Sequence, residues 1–268
     1  MSKREDIERG RLVYSCNCGW IDLNHMEDPA TRPFVGATNL WKQLDSTEPA
    51  RVRGMCIEPS LNLLPPFTPT YRFYHAEAQA RFPDGRAGFK VTYKQDMGNR
   101  HMTFGVERSY LVRFGLTTKQ KKSVALAIFM EVSKGFEAYQ GNWFWSWLTD
   151  SGFSQEDLVS DLLGFYIAIG ELSKEQVLEL CHPASKEDSL ALWDAQGAVG
   201  SHKNTKFEPM LSENPPDECA KQPMAFPQEL KKITPVAKGE LFIDFPSLPD
   251  DACANAPARG WRLPVLGL

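Results

Sequence analysis

The chain has 268 residues, 42% of them apolar and 24% charged, so it can bury a sizeable core and has the charge content of an ordinary globular protein. A formal charge of −4 and a pI near 5.8 argue against a protein that tracks nucleic acid phosphates, which needs a basic face. The sequence has no run of about 18 apolar residues, which excludes an apolar membrane-spanning helix, and its six cysteines are too dispersed for a small disulfide scaffold.

Residues 1–15 read as a charged, exposed arm without the apolar stretch of a secretory signal. "CNCGWIDLNHM" (16–26) reads as a loop entering a helical turn, with Asp22 and His25 three apart on one face. Residues 45–70 hold five prolines and read as loop. Alternation through 75–82, 89–93 and 102–114, broken by turn signals at 83–86 and 98–100, predicts a three-stranded antiparallel meander with a bulge in its third strand. A long helix follows over 118–140. Thr117 and Gln120 have capping-box spacing, and the apolar residues cover nearly the whole circumference, the pattern of a buried helix. A second helix is predicted from Ser154 to Ile169, a third behind a Ser173 cap, and a fourth in "SKEDSLALWDAQ". Beyond residue 200 the chain turns proline-rich and polar, with one further strand in "KGELFIDF".

Two carboxylates sit on the apolar helix, Glu131 and Glu137. An ionised carboxylate buried there costs several kcal/mol unless it is paired, and desolvation raises its pKa toward that of a working proton donor. They do not share a face, and Glu137 leads directly into the aromatic segment "NWFWSW". Glu131 has a structural alternative, pairing with Arg108, Arg113 or Lys134. Tyr139, Trp143 and Trp145 could wall a sugar-binding cleft, since a pyranose face stacks on a ring. Asp161 flanks the apolar face of the next helix as a second carboxylate. Ser154 and Asp157 read as caps, and Glu156 as a dipole partner in the first turn or a substrate contact. His25 beside Asp22 could be an oriented imidazole, and with Cys16 or Cys18 it could serve a cysteine nucleophile. The sequence contains no Gly-rich phosphate loop, HExxH or GxSxG pattern.

Three segments, "YSCNCGWIDLNHM", "ALAIFMEVSKGFEAYQ" and "SGFSQEDLVSDLLGFY", together resemble a bacterial envelope-associated family known as domain of unknown function 4056. The first is similar to that family's Tyr-x-Cys…Gly-Phe-Ile-Asp-x-x-His start. The second is similar to a helix carrying a His-Glu pair. The third is similar to Ser-x-Phe-Ser-x-Glu-Asp-Leu-x-Ser-Asn-x-x-Gly. The resemblance covers roughly residues 14–170 and points to Asp22, His25, Glu137, Glu156 and Asp157. This chain departs from the pattern at Phe136, where the pair has His, and at Asp161, where Asn is usual; the missing His weakens a shared metal site. The resemblance also implies a bacterial envelope setting.

These readings converge on one domain over 1–268, with a core at 15–180 and a proline-rich wrap at 181–268. The expected fold is α+β: a mainly helical, lysozyme-like core with a small antiparallel meander and an irregular C-terminal wrap. The expected activity is hydrolysis of peptidoglycan glycan strands. Glu137 is the proton donor, with Glu131, Asp157, Asp161 and His25 as further catalytic candidates. Trp143, Trp145, Tyr139 and Glu156 are the substrate contacts. No metal or cofactor is assigned. The partners expected are a cell-wall glycan and, for an antibacterial toxin, an immunity protein, with neither nucleic acid nor a membrane span. The chain is expected to be made in the cytoplasm without a signal peptide and delivered to a target cell's periplasm. Two rivals stand beside this: a Cys/His- or metal-dependent cell-wall amidase or peptidase, and a non-enzymatic glycan- or protein-binding module.

Overall fold

The computed structural model describes residues 2–26, 34–61, 69–98, 103–140, 153–221, 224–254 and 261–264, with the side chains of 59–61, 69–70, 72, 96–98, 103–104, 137–140, 250 and 261–264 outside that set. In chain order the elements begin with α1 (Arg4–Glu8), β1 (Leu12–Ser15), β2 (Gly19–Asp22) and α2 (Ala37–Gln43). Four strands of equal length follow: β3 (Arg51–Leu61), β4 (Pro69–Gln79), β5 (Gly88–Gly98) and β6 (Thr103–Arg113). Then come α3 (Thr118–Gln140), α4 (Asp157–Ala168), α5 (Lys174–Cys181), α6 (Lys186–Gln196) and α7 (Asp217–Ala220). The chain closes with β7 (Phe242–Asp244), α8 (Asp250–Ala254) and β8 (Trp261–Pro264).

This is not the mainly helical, lysozyme-like architecture expected from the sequence. The structure is 38% helix and 24% strand, with three small antiparallel sheets among the described residues. Their orders are β1-β2, β3-β4-β8 and β5-β6-β7, so the expected meander does not exist as one sheet: β4 belongs to a different sheet from β5 and β6. β1, β2 and β8 are not predicted as strands from the sequence, and neither is β3, which lies in the proline-rich segment read as loop. It lies at the edge of its sheet, where a residue without an N–H is tolerated, and Pro59 stands opposite Tyr71 in the register. Nor is the C-terminal part an irregular wrap. It supplies α6, α7 and α8, and β7 and β8 each complete a sheet.

The chain forms two compact units. The first comprises Met1–Asp45, Thr92–Arg108 and Leu116–Lys238; the second comprises Ser46–Val91, Ser109–Gly115 and Gly239–Leu268. In the first, Ile7, Leu12, Tyr14, Trp20 and Trp193 share one core, with Trp20 edge-on to both Tyr14 and Trp193. The opening residues are therefore folded, not an exposed arm. A second aromatic group in this unit joins α3 to α4 through Phe129 and Phe165, whose ring centres are 4.9 Å apart. The second unit packs Ala50, Val52, Ala80, Phe82 and Leu111 against Ile243, Phe245 and Leu248.

Helix α3 begins where its capping box predicts. The Thr117 N–H donates to Gln120 Oε1 at 3.0 Å, and the Gln120 N–H donates to Thr117 Oγ1 at 3.3 Å. It is not buried all round, however. Ala127, Met130 and Glu131 are half-buried and Lys134 is exposed, at i, i+3, i+4 and i+7, which is one solvent-facing stripe. The Ser173 cap of α5 holds as its sequence predicts, and Ser185, which the sequence reading does not name as a cap, caps α6.

All six cysteines are paired. Cys16–Cys219 and Cys18–Cys181 lie in the first unit, and Cys56–Cys253 lies in the second.

Candidate active site

Strand β2 ends at Asp22, and the chain turns at once. The Asp22 carbonyl accepts the N–H groups of His25 and Met26, and its carboxylate accepts the Asn24 N–H at 2.9 Å. One residue thus caps the turn that carries His25 by both its backbone and its side chain. The carboxylate is 1% exposed and receives Arg11 as a fork, from Nε at 3.0 Å and Nη2 at 2.6 Å. Burial pushes the Asp22 carboxyl up. The Arg11 hydrogen bonds, together with the charges of His25 and Arg11, outweigh it and hold the group below the usual aspartate range.

Helix α4 lies against this turn along the stripe 157, 160, 161 and 164. Asp157 Oδ1 stands 3.7 Å from His25 Nδ1, and the Ser160 hydroxyl accepts the Asp22 N–H at 2.9 Å. At Gly164 a Cβ would stand 3.1 Å from Met26 Cα and 3.2 Å from the His25 carbonyl oxygen, so glycine permits the close approach. The start of α4 differs from the sequence reading. Ser154 does not cap it; instead the Asp157 carboxylate accepts the Ser154 N–H at 2.8 Å, closing a turn ahead of the helix.

Two further carboxylates feel the same charges. Glu156 is 1% exposed; its Oε1 accepts the Ser2 hydroxyl at 2.7 Å, and its buried Oε2 has no hydrogen-bond partner among the described residues. Desolvation raises its pKa, opposed by Ser2 and by His25 and reinforced by the charge of Asp22. Asp161 is half-buried and accepts Gln95 Nε2 at 2.6 Å. Desolvation raises its pKa too, against the charge of His25 and the Gln95 hydrogen bond. Around one imidazole, itself 41% exposed at its side chain, stand a carboxylate held ionised and two carboxyls biased toward the protonated form. Environments that separate the pKa values of neighbouring acids are how a site assigns proton donor and acceptor.

The structure thus brings together His25, Asp157, Asp161 and Glu156 of the sequence-derived set. Glu131 stands apart from them in an ion-pair network, 2.6 Å from Arg108 and 2.9 Å from Lys238, which is the structural alternative raised for it. The side chains of Glu137 and Tyr139, and the whole of Trp143 and Trp145, lie outside the described residues. The cysteine nucleophile has no thiol to supply it, since Cys16 and Cys18 are both disulfide-bonded. Among the described residues no group of three or more His, Cys, Asp or Glu is arranged to hold a metal ion.

Sequence reasoning missed Arg11, Gln95, Ser160 and Gly164. Ser160 and Gly164 stand at positions of the third resemblance segment and could have been taken from it. Arg11 was read as part of a charged arm, and Gln95 carried no signal. Neither of two described clefts contains His25. One of about 550 Å³ in the first unit is lined by Asn17, Gln176, Glu179 and His182, and one of about 840 Å³ in the second by Arg51, Arg53, Lys90 and Phe245. No protein-family model matches the chain, and neither the curated proteins nor the solved structures give a match.

Proposed function

We propose that the chain is a hydrolase of the bacterial cell wall, cutting glycan strands by acid–base catalysis at the Asp22–His25 turn. His25, oriented by Asp157, takes a proton from the attacking water. Asp161, in its protonated form, gives a proton to the leaving oxygen. Asp22 stays ionised and steadies the positive charge that develops on the imidazole. The observation that carries this reading is the meeting of two segments more than a hundred residues apart in sequence, Asp22–His25 and Glu156–Asp161, around one accessible imidazole. The resemblance of these same segments to an envelope-associated family supports the choice of substrate.

The three disulfides support action in an oxidising compartment, as the periplasm of a target cell would be. A chain delivered there as an antibacterial effector would be matched by an immunity protein. The test is digestion of purified sacculi by the intact protein, with products read by mass spectrometry. New reducing ends are expected from the wild type. His25→Ala and Asp161→Asn should each lower the rate by about a hundredfold or more, the usual range for losing a general base or acid. Retained activity in both variants would remove the assignment, and freed stem peptides would move the reaction to an amide bond.

A further inference from the structure

Strand β3 ends its sheet, and among the described residues it is paired on one side only, by β4. An end strand presents a row of backbone N–H and C=O groups to whatever lies beside it. At its start this edge is engaged, since the Ala50 N–H donates to the Gly88 carbonyl at 2.8 Å; the open part begins beyond Ala50. There the strand borders a cleft of about 840 Å³ that lies wholly within the second unit. Its wall takes in the consecutive residues 48–54, and Lys90 and residues 245–248 line it too. A wall built from a continuous run of strand backbone suits an extended chain as ligand.

The cleft is basic in a chain whose formal charge is −4. Lys90 Nζ lies 4.9 Å from the centre of the Phe245 ring, which holds the ammonium in place, and Lys90 makes no ion pair among the described residues. Arg51 and Arg53 share one carboxylate, Glu77, which meets both through Nε, at 3.4 Å for Arg53. Their side chains are 63% and 78% exposed, so both guanidinium groups can take a further anion. With Glu48 as the acid of the wall, three cations stand against two carboxylates. Further along the strand Met55 and Ile57 follow the arginines on the same face at a period of two, and they are 61% and 59% exposed.

We propose that β3 receives an extended acidic segment of a partner protein, added as a further strand along the cleft. Acidic side chains of that segment meet Arg51, Arg53 and Lys90, and apolar ones meet Met55 and Ile57. Backbone pairing supplies affinity in this mode, and alternate side chains supply the choice of partner. A phosphate polymer would meet the same cations, but it has no ladder of N–H and C=O groups to pair with β3. The site uses none of the residues assigned to hydrolysis, so the two readings stand or fall separately.

The probes are the peptide Ac-Glu-Thr-Glu-Thr-Val-Thr-Val-NH2 and the same residues in reverse order, since either strand direction can pair. Binding to the intact, disulfide-bonded protein is measured by calorimetry. One of the two should bind, and its counterpart with Lys in place of Glu should bind about tenfold more weakly or worse. N-methyl groups on the tighter peptide distinguish strand addition from charge alone. On one alternate set of residues they should weaken binding by about tenfold, and on the other set they should be tolerated, because successive N–H groups of an added strand face β3 and solvent in turn. Lys90→Gln and Arg53→Gln should each lower affinity by about threefold, the size expected of an exposed charge pair, with melting temperatures showing that the variants are folded. The proposal is overturned if neither peptide binds, if the Lys counterpart binds equally, if the two methylation patterns act alike, or if both variants keep full affinity. Polyphosphate binding as tightly as the acidic peptide would mark a general anion cleft and would overturn it as well.

Discussion

Asp22 holds the site together at the level of single residues, and its partner Arg11 makes that tolerable. Removing Arg11 leaves a carboxylate that is 1% exposed without its fork of donors. A fully buried pair broken in this way loses about 3–5 kcal/mol. Arg11 is 34% exposed, so solvent offsets part of that, and Arg11→Ala should cost about 2 kcal/mol in a denaturant titration. The acids have opposite pH signatures. Asp22, depressed in the fold, contributes stability that is present above the ordinary aspartate range and lost as pH falls through its folded value. Glu156 and Asp161, raised in the fold, contribute stability that is full below the ordinary carboxyl range and lost as pH rises through their folded values. Glu156→Gln should therefore raise the melting temperature at neutral pH and flatten its decline from acid to neutral. An unchanged melting profile would mean that Glu156 is ionised and satisfied.

Among the elements, α4 and α3 offer opposite tests of the same substitution. A Cβ at Gly164 would crowd the backbone of His25 and Met26 at 3.1–3.2 Å, and backbone gives way poorly. Gly164→Ala should destabilise by about 1–3 kcal/mol despite its better helix propensity, and should lower the proposed hydrolysis further by displacing the His25 turn. At Gly135 on α3 the nearest atoms to a Cβ, on Arg108 and Val106, stand at an ordinary 3.7 Å. There Gly135→Ala should stabilise by up to about 1 kcal/mol. Parallel thermal melts of the two variants check the packing described for α4. Equal shifts would mean that α4 does not lie so close to the turn.

For the whole molecule the disulfides set the terms. They close separations of 203, 163 and 197 residues. In the chain-entropy model one such closure is worth about 5 kcal/mol, and the two in the first unit overlap, so their sum is smaller than twice that. Reduction should lower the melting temperature sharply. Iodoacetamide added without reductant should leave activity unchanged, because no thiol is free. Inhibition by the alkylator alone would show that at least one of the three bridges is open in the working protein.

The sequence by itself determined the helices capped at Thr117 and Ser173, because capping is written in residues three apart. It also marked Asp22, His25, Glu156, Asp157 and Asp161 as carriers of chemistry. It could not show that Asp22 and Ser160 share a hydrogen bond across 138 residues, that Arg11 neutralises Asp22, or that Cys16 finds Cys219. Those pairings depend on which surfaces the packed core brings together, and local spacing carries no record of them. The same reason hid β3: the prolines of the segment around it spoke for a loop, and only its place at the edge of a sheet made a strand affordable there.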